Sequence, residues 1–220
     1  MDEISINYTR ARQSMVENQL LPGGVREARL CKIMGDIPRE AYLPDELRPL
    51  AYMDKDISLA CGALLAPLTF ALLAELAAVQ ENELVLDIAC ATGYSTAVLA
   101  ALGNTVVGLE ENADLTAQAS QTLAAQNIDN AVIVNGNHAE GQAAQSPYDV
   151  IFINGFVPKI HPKLSDQMAE NGRLVCITQD KGALCGVCLT RQKGGISRHI
   201  AFERTAPLVA GFMTETGFSF

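Results

Sequence analysis

Asp87 is followed by small residues at alternate positions, Ala89, Ala91 and Gly93, inside "LVLDIACATGYSTAVLAALG" (Leu84–Gly103). An apolar run precedes them and a helix-like run follows, so the stretch reads as a buried strand, a tight turn and a helix. A nucleotide-type cofactor is held at such a turn in a parallel α/β sheet. A dinucleotide fingerprint needs glycine at the first, third and sixth positions of the turn. Here those positions hold Ala89, Ala91 and Tyr94. Tyr94 is too large for the close helix–strand contact that the last glycine permits, which argues against NAD or FAD. No Gly-Lys-Ser/Thr follows, so the turn is not a phosphate-cradling P-loop. Alanine costs little at negative φ and roughly 1–2 kcal/mol at positive φ. The sequence leaves open which applies.

A second carboxylate strengthens the case for a cofactor. "TVVGLEEN" (Thr105–Asn112) is an apolar run ending in Glu110. A strand-end carboxylate one β-α-β unit beyond the turn can accept both hydroxyls of an adenosine ribose. Glu110 is preferred to Glu111 because it ends the apolar run. Asn137 and His138, in "VNGNHAEG" (Val134–Gly141), follow a third strand at the same sheet edge. Asn137 is placed to meet an adenine edge. Cys185 and Cys188 form a Cys-x-x-Cys pair, but on a strand residues three apart point to opposite faces. No second pair completes a zinc site, and His138, His161 and His199 show no ligand spacing. No metal is expected, and no residue is assigned a catalytic role.

These groups need a sheet to hold them. Strands are expected at Leu84–Asp87, Thr105–Leu109, Ala131–Val134, Tyr148–Asn154 and Arg173–Thr178, with helices at Ser95–Leu102, Ala113–Gln126 and Pro162–Ala169. The alternation implies a parallel sheet with right-handed crossovers. "ALCGVCLTRQ" and "SRHIAFERT" flank "KGG" (Lys193–Gly195) as a closing antiparallel hairpin. Upstream, helices fit Ser5–Leu20 and Val25–Met34, while Asp36–Ile57 carries three prolines and is irregular. A helix fits Pro67–Gln80, with Leu68, Leu72, Leu76 and Val79 on one face and Glu75 towards solvent. The fold class is α/β, and the chain reads as one domain, residues 1–220. Residues 1–80 are a helical, substrate-side extension and residues 81–220 the cofactor-binding sheet.

Composition narrows the partners. The 220 residues are 49% hydrophobic and 19% charged, enough for a sizeable core. A net charge of −9 with no basic cluster argues against nucleic acid. No apolar signal core or membrane-length run is visible, so a cytoplasmic protein is expected. Its six cysteines read as reduced core residues.

The frame Asp87-x-Ala89-x-Ala91-x-Gly93 resembles the first motif of Rossmann-like S-adenosylmethionine-dependent methyltransferases (class I). Further stretches resemble the protein-L-isoaspartate O-methyltransferase family, in its order and approximate spacing. They are "IPREAYLP" (Ile37–Pro44), "AYMDKDISL" (Ala51–Leu59), "LVLDIACATGYSTAVLA" (Leu84–Ala100), "PYDVIFINGFVP" (Pro147–Pro158) and "LSDQMAENGRLV" (Leu164–Val175). The first two are the specific ones. The resemblance implies S-adenosyl-L-methionine as cofactor, held by Asp87, Ala89, Ala91, Gly93, Tyr94, Glu110, Asn137 and His138. It implies a protein or peptide substrate whose isoaspartyl carboxylate is methylated, the ester then collapsing to a succinimide. The substrate would face Ala63, Leu65, Pro67 and Asn154–Phe156. The family's substrate loop resembles Gly-Gln-Thr-Ile-Ser-x-Pro. Here "CGALLAP" (Cys61–Pro67) puts Ala63 for the Thr and Leu65 for the Ser. That exchange keeps two alternatives open: another methyl acceptor, or a cofactor-binding module without catalysis. A monomer is expected.

Overall fold

A computed structural model describes residues 7–212. Seven strands form the main sheet: β3 (Leu84–Ile88), β4 (Thr105–Glu110), β5 (Ala131–Asn135), β6 (Tyr148–Phe156), β7 (Met168–Asp180), β8 (Ala183–Gln192) and β9 (Gly195–Glu203). β1 (Ile57–Ser58) and β2 (Ala63–Leu64) form a separate two-residue ladder. The spatial order is β5-β4-β3-β6-β7-β8-β9. Pairings from β5 to β7 are parallel, and β8 and β9 are antiparallel. The expected class therefore holds: an α/β sheet, mostly parallel, closed by an antiparallel hairpin. The chain runs outward from β3 to β5 and returns to β6 on the other side of β3. The carboxyl ends of β3 and β6 flank this topological switch point, where open α/β sheets bind ligands.

The helices are α1 (Tyr8–Met15), α2 (Ala28–Asp36), α3 (Pro67–Ala77), α4 (Tyr94–Leu102), α5 (Ala113–Ala125) and α6 (Pro162–Asp166). Residues 5 and 6 of the first expected helix lie outside the described residues. Its remainder is α1 continued by a π-helical turn, Val16–Leu20. The proline-rich segment after α2 forms only two short 3₁₀ turns, as its sequence suggests.

Both sheet faces are apolar. Val85, Val150, Phe152 and Val175 pack towards α1–α5, and Leu86, Ile88, Ile151 and Leu174 face the other way. That second face is covered by α6 and by the segment after β9, through Leu164, Val209 and Phe212. Cys188 belongs to the first core and Cys185 to the second, as strand alternation requires.

Five expectations are corrected. α2 starts at Ala28 rather than Val25, because the Glu27 side chain caps it there. α3 stops at Ala77 rather than Gln80, because Ala78 turns left-handed with φ 48°. Of the expected stripe Leu68 and Val79 are buried but Leu72 and Leu76 only half-buried, and Phe70, Ala71, Leu73, Ala74 and Ala77 complete the buried side. Glu75 is not a free solvent group. Its Oε1 accepts the amides of Arg26 and Glu27, each at 2.6 Å, and so anchors the start of α2 from another helix. Finally, α6 ends at Asp166, and Met168 and Ala169 already belong to β7.

Candidate active site

The turn after β3 resolves the alanine question. Ala89 has φ 57°, Ala91 φ 50° and Gly93 φ 91°. All three positions lie in the left-handed region, so the two alanines carry strain of roughly 1–2 kcal/mol each. What the strain achieves is a backbone folded back on the sheet. Ala89 N donates to Leu109 O at 2.9 Å, and Ala91 N donates to Glu110 Oε2 at 2.9 Å. At Gly93 a side chain would be strained by the positive φ, and its Cβ would stand a tight 3.3 Å from Ala119 Cβ.

Glu110 ends β4 and is buried. Its Oε1 accepts Asn112 N at 3.0 Å. Burial raises the Glu110 carboxyl, but His138 beside it and the amides of Asn112 and Ala91 more than offset this and hold it below the usual range. A carboxylate offers about four lone-pair sites. The two backbone amides use two, which leaves two for a pair of hydroxyls. His138 closes the adjacent wall. Its Nε2 lies 3.0 Å from Glu111 N and 3.7 Å from Glu110 Oε1, and its Nδ1 lies 3.1 Å from Ala210 O.

Asp87 lies beneath the turn, fully buried. Its Oδ2 accepts Ser95 Oγ at 2.7 Å and Thr96 Oγ1 at 2.6 Å, and its Oδ1 accepts Asn154 Nδ2 at 2.6 Å. Burial raises its carboxyl to about 6 despite these three bonds, and Glu110 adds to the rise. Asp87 thus ties the start of α4 to the end of β6 and does not itself line the cavity.

The open cavity above these groups measures about 270 Å³. Of the expected site residues, Ala89, Ala91, Glu110, His138, Ala63 and Asn154 are on its wall. Six expected residues are not on it: Asp87 lies beneath the turn, Gly93 caps the start of α4, and four more are elsewhere. Tyr94 points away, its ring packed against Tyr42 and Phe70. Pro67 is buried in the first turn of α3, and Leu65 is buried behind the loop. Asn137 Oδ1 already accepts Ala139 N at 2.9 Å and Glu140 N at 3.1 Å, so it has no acceptor left for an adenine edge. Its Nδ2 instead holds Glu111 Oε1 at 3.1 Å.

The sequence reading missed part of the wall. Cys61, Gly62, Glu111 and Asn112 contribute to it, as does a strap, Pro207–Ala210. The strap is fastened to β6 by Phe156 N to Pro207 O at 2.7 Å and Val209 N to Phe156 O at 2.9 Å. The apolar "PLV" beyond the hairpin was its only signal in the sequence.

The family model for protein-L-isoaspartate(D-aspartate) O-methyltransferase matches residues 10–199. The chain belongs to this family. A protein-L-isoaspartate O-methyltransferase of Synechococcus sp. (strain JA-2-3B'a(2-13)) is 36% identical over 169 residues, 76% of this chain and 69% of that one. Protein-L-isoaspartate O-methyltransferase 2 of Anaeromyxobacter sp. (strain Fw109-5) is 31% identical over 91% of this chain and 84% of its own. The fold is similar to a Plasmodium falciparum crystal structure described as a putative protein-L-isoaspartate O-methyltransferase in complex with S-adenosyl-L-homocysteine. The TM-score is 0.77 at 21% identity, covering 91% of this chain and 98% of that one. The family's cofactor fits the residues present: backbone brought close by the left-handed turn, and a carboxylate with two acceptor sites to spare.

Proposed function

We propose that this protein transfers the methyl group of S-adenosyl-L-methionine to the free carboxylate of isoaspartyl residues in damaged proteins. The observation that carries the reading is Glu110, ionised, held by the loop and facing a cavity at the switch point of a family member's sheet. Glu110 would take the ribose hydroxyls. Ala89 and Ala91 would lie against the cofactor with no side chain to obstruct it, and His138 and the strap would close its far side. When bound, the cofactor supplies an already activated methyl sulfonium.

No residue of this chain has to act as a base, because a carboxylate acceptor is ionised at neutral pH. The protein's task is alignment and exclusion of water. Gly62, Ala63 and Asn154 form the acceptor side, and Asp87 fixes Asn154 there. We read the chain as one cytoplasmic, monomeric methyltransferase domain. No described helix is long and apolar enough to cross a membrane.

The test is incubation with labelled S-adenosyl-L-methionine and matched isoaspartyl and aspartyl peptides, with cofactor affinity measured by calorimetry. Label on the isoaspartyl peptide alone supports the reading. Tight cofactor binding with no transfer would mean another acceptor or a binding module, consistent with the missing hydroxyls at Ala63 and Leu65. Glu110→Ala is expected to weaken cofactor binding by about 1.5–3 kcal/mol, the worth of charge-assisted bonds. Unchanged affinity would remove Glu110 from the site.

A further inference from the structure

Arg39 heads the fully buried side chains by size, at 1% exposure. Among the described residues no carboxylate forms an ion pair with it. Of its five N–H donors, Nε meets Ala51 O at 2.8 Å and Nη2 meets Leu65 O at 2.7 Å. The guanidinium carbon stands 4.7 Å from the centroid of the Tyr94 ring. Two carbonyls and a ring face offset only part of what it costs to bury an unpaired cation. An apolar side chain would avoid the buried charge and leave two carbonyls to be satisfied, which a neutral donor could do, so packing alone does not account for a cation at position 39.

Its surroundings supply a reason. Arg39 and Tyr94 line a small pocket of about 10 Å³, room for a single water-sized oxygen. Ala63, Ala89 and Asn154 line this pocket and the cofactor cavity alike. The pocket therefore sits immediately behind the acceptor side. Tyr94 is 2% exposed, and its hydroxyl makes no well-formed hydrogen bond, with the Arg39 guanidinium beside it. Beside it the acceptor loop, Ala63–Pro67, has no hydroxyl to offer an anion. Spare N–H donors, a loosely held hydroxyl and space for one oxygen together suit one end of a carboxylate.

We propose that Arg39 determines specificity for an anionic acceptor, one carboxylate oxygen entering the Arg39–Tyr94 pocket between Ala63 and Asn154. The inference rests on the methyl-transfer reading above. Arg39 also holds Leu65 O, so the cation and the loop that frames the acceptor are set in place together.

Three variants test it: Arg39→Met, which removes the charge at similar length; Arg39→Lys, which keeps it; and Tyr94→Phe, which removes only the hydroxyl. KM and kcat for an isoaspartyl peptide are measured beside the calorimetric Kd for S-adenosyl-L-homocysteine. Arg39→Met is expected to raise KM at least about tenfold, the loss of a charge-assisted bond, while the Kd stays within about threefold. Arg39→Lys should recover part of that loss, and Tyr94→Phe should raise KM by a smaller factor. An unchanged KM in folded Arg39→Met or in Tyr94→Phe overturns the proposal.

A measurement on the wild-type protein stands apart from turnover. Arginine-¹⁵Nε NMR of the protein saturated with S-adenosyl-L-homocysteine is followed while acetate, or acetamide as control, is added. The Arg39 signal is identified by its absence in Arg39→Lys. A saturable shift with acetate alone supports the pocket, even if no isoaspartyl peptide is methylated and the reading of the substrate fails. No shift, or the same shift with acetamide, overturns it.

Discussion

Ala89 and Ala91 occupy left-handed backbone that glycine adopts freely. Ala89→Gly and Ala91→Gly should each relieve about 1–2 kcal/mol of strain and lose about 0.5–1 kcal/mol to the freer unfolded chain. The net expectation is a gain of roughly 0.5–1 kcal/mol each, read from the urea midpoint; a loss of stability would mean that the methyl groups pack usefully. Asp87 makes a pH prediction. Its folded value is raised to about 6, above that of an unfolded aspartate, so the folded state holds the proton more tightly. Its contribution is therefore fully present below about pH 4 and is lost as pH rises through about 6, an effect of order 3 kcal/mol. Subtracting the stability profile of Asp87→Asn from that of the wild type should isolate a decline between those limits, and parallel profiles would remove Asp87 as its source. At this scale the site was legible where chemistry and position coincide. Glu110 ends an apolar strand, and that alone marks it. Asn137 was misread because the partners of a loop amide depend on turn geometry that its neighbours in sequence do not reveal.

Elements were read from periodicity, and they fail where periodicity carries no information. The strands and the hairpin emerge from apolar runs and turn residues. The end of α3 does not, since it is an alanine, Ala78, that turns left-handed where glycine would have signalled a stop. Nor does its buried side, because a helix with apolar residues nearly all round has no distinct stripe. What holds that helix end is remote. Arg173 of β7 donates Nε to Ala77 O at 2.7 Å and Nη2 to Ala78 O at 3.0 Å, and it meets both carboxylate oxygens of Glu83 at 2.7 Å. Burial raises the Glu83 carboxyl, but Arg173 and the amide of Gln80 bring it below its usual value. Lysine keeps the charge and loses the planar fork. Arg173→Lys should therefore cost about 1–3 kcal/mol in denaturant unfolding. A change below about 0.5 kcal/mol would show that the fork is dispensable for fixing α3, the helix that carries the acceptor loop at its other end.

Across the whole molecule, two features set how a substrate is met. The strap Pro207–Ala210 brings the end of the described chain back over the cavity, and its partners on β6 are too distant in sequence for any local pattern to announce them. The other is charge. The chain carries −9 at neutral pH, yet the proposed acceptor is itself a carboxylate within a peptide. At an ionic strength of about 0.01 M the Debye length is about 30 Å, comparable to the protein, so an approaching peptide feels the summed field. Arg39 is buried and acts only once the acceptor is seated. It cannot reverse repulsion during approach. Isoaspartyl peptides flanked by lysine should thus show a KM about 3–10-fold below that of glutamate-flanked peptides at low salt. The gap should shrink to less than about twofold near 0.5 M, where the field is screened within a few ångströms. The kcat values should stay close throughout, because the seated carboxylate sees the same pocket in both. A preference that persists unchanged at high salt would place the discrimination in direct contacts with the flanking residues, and equal KM values at low salt would show that the net charge lies away from the cavity mouth.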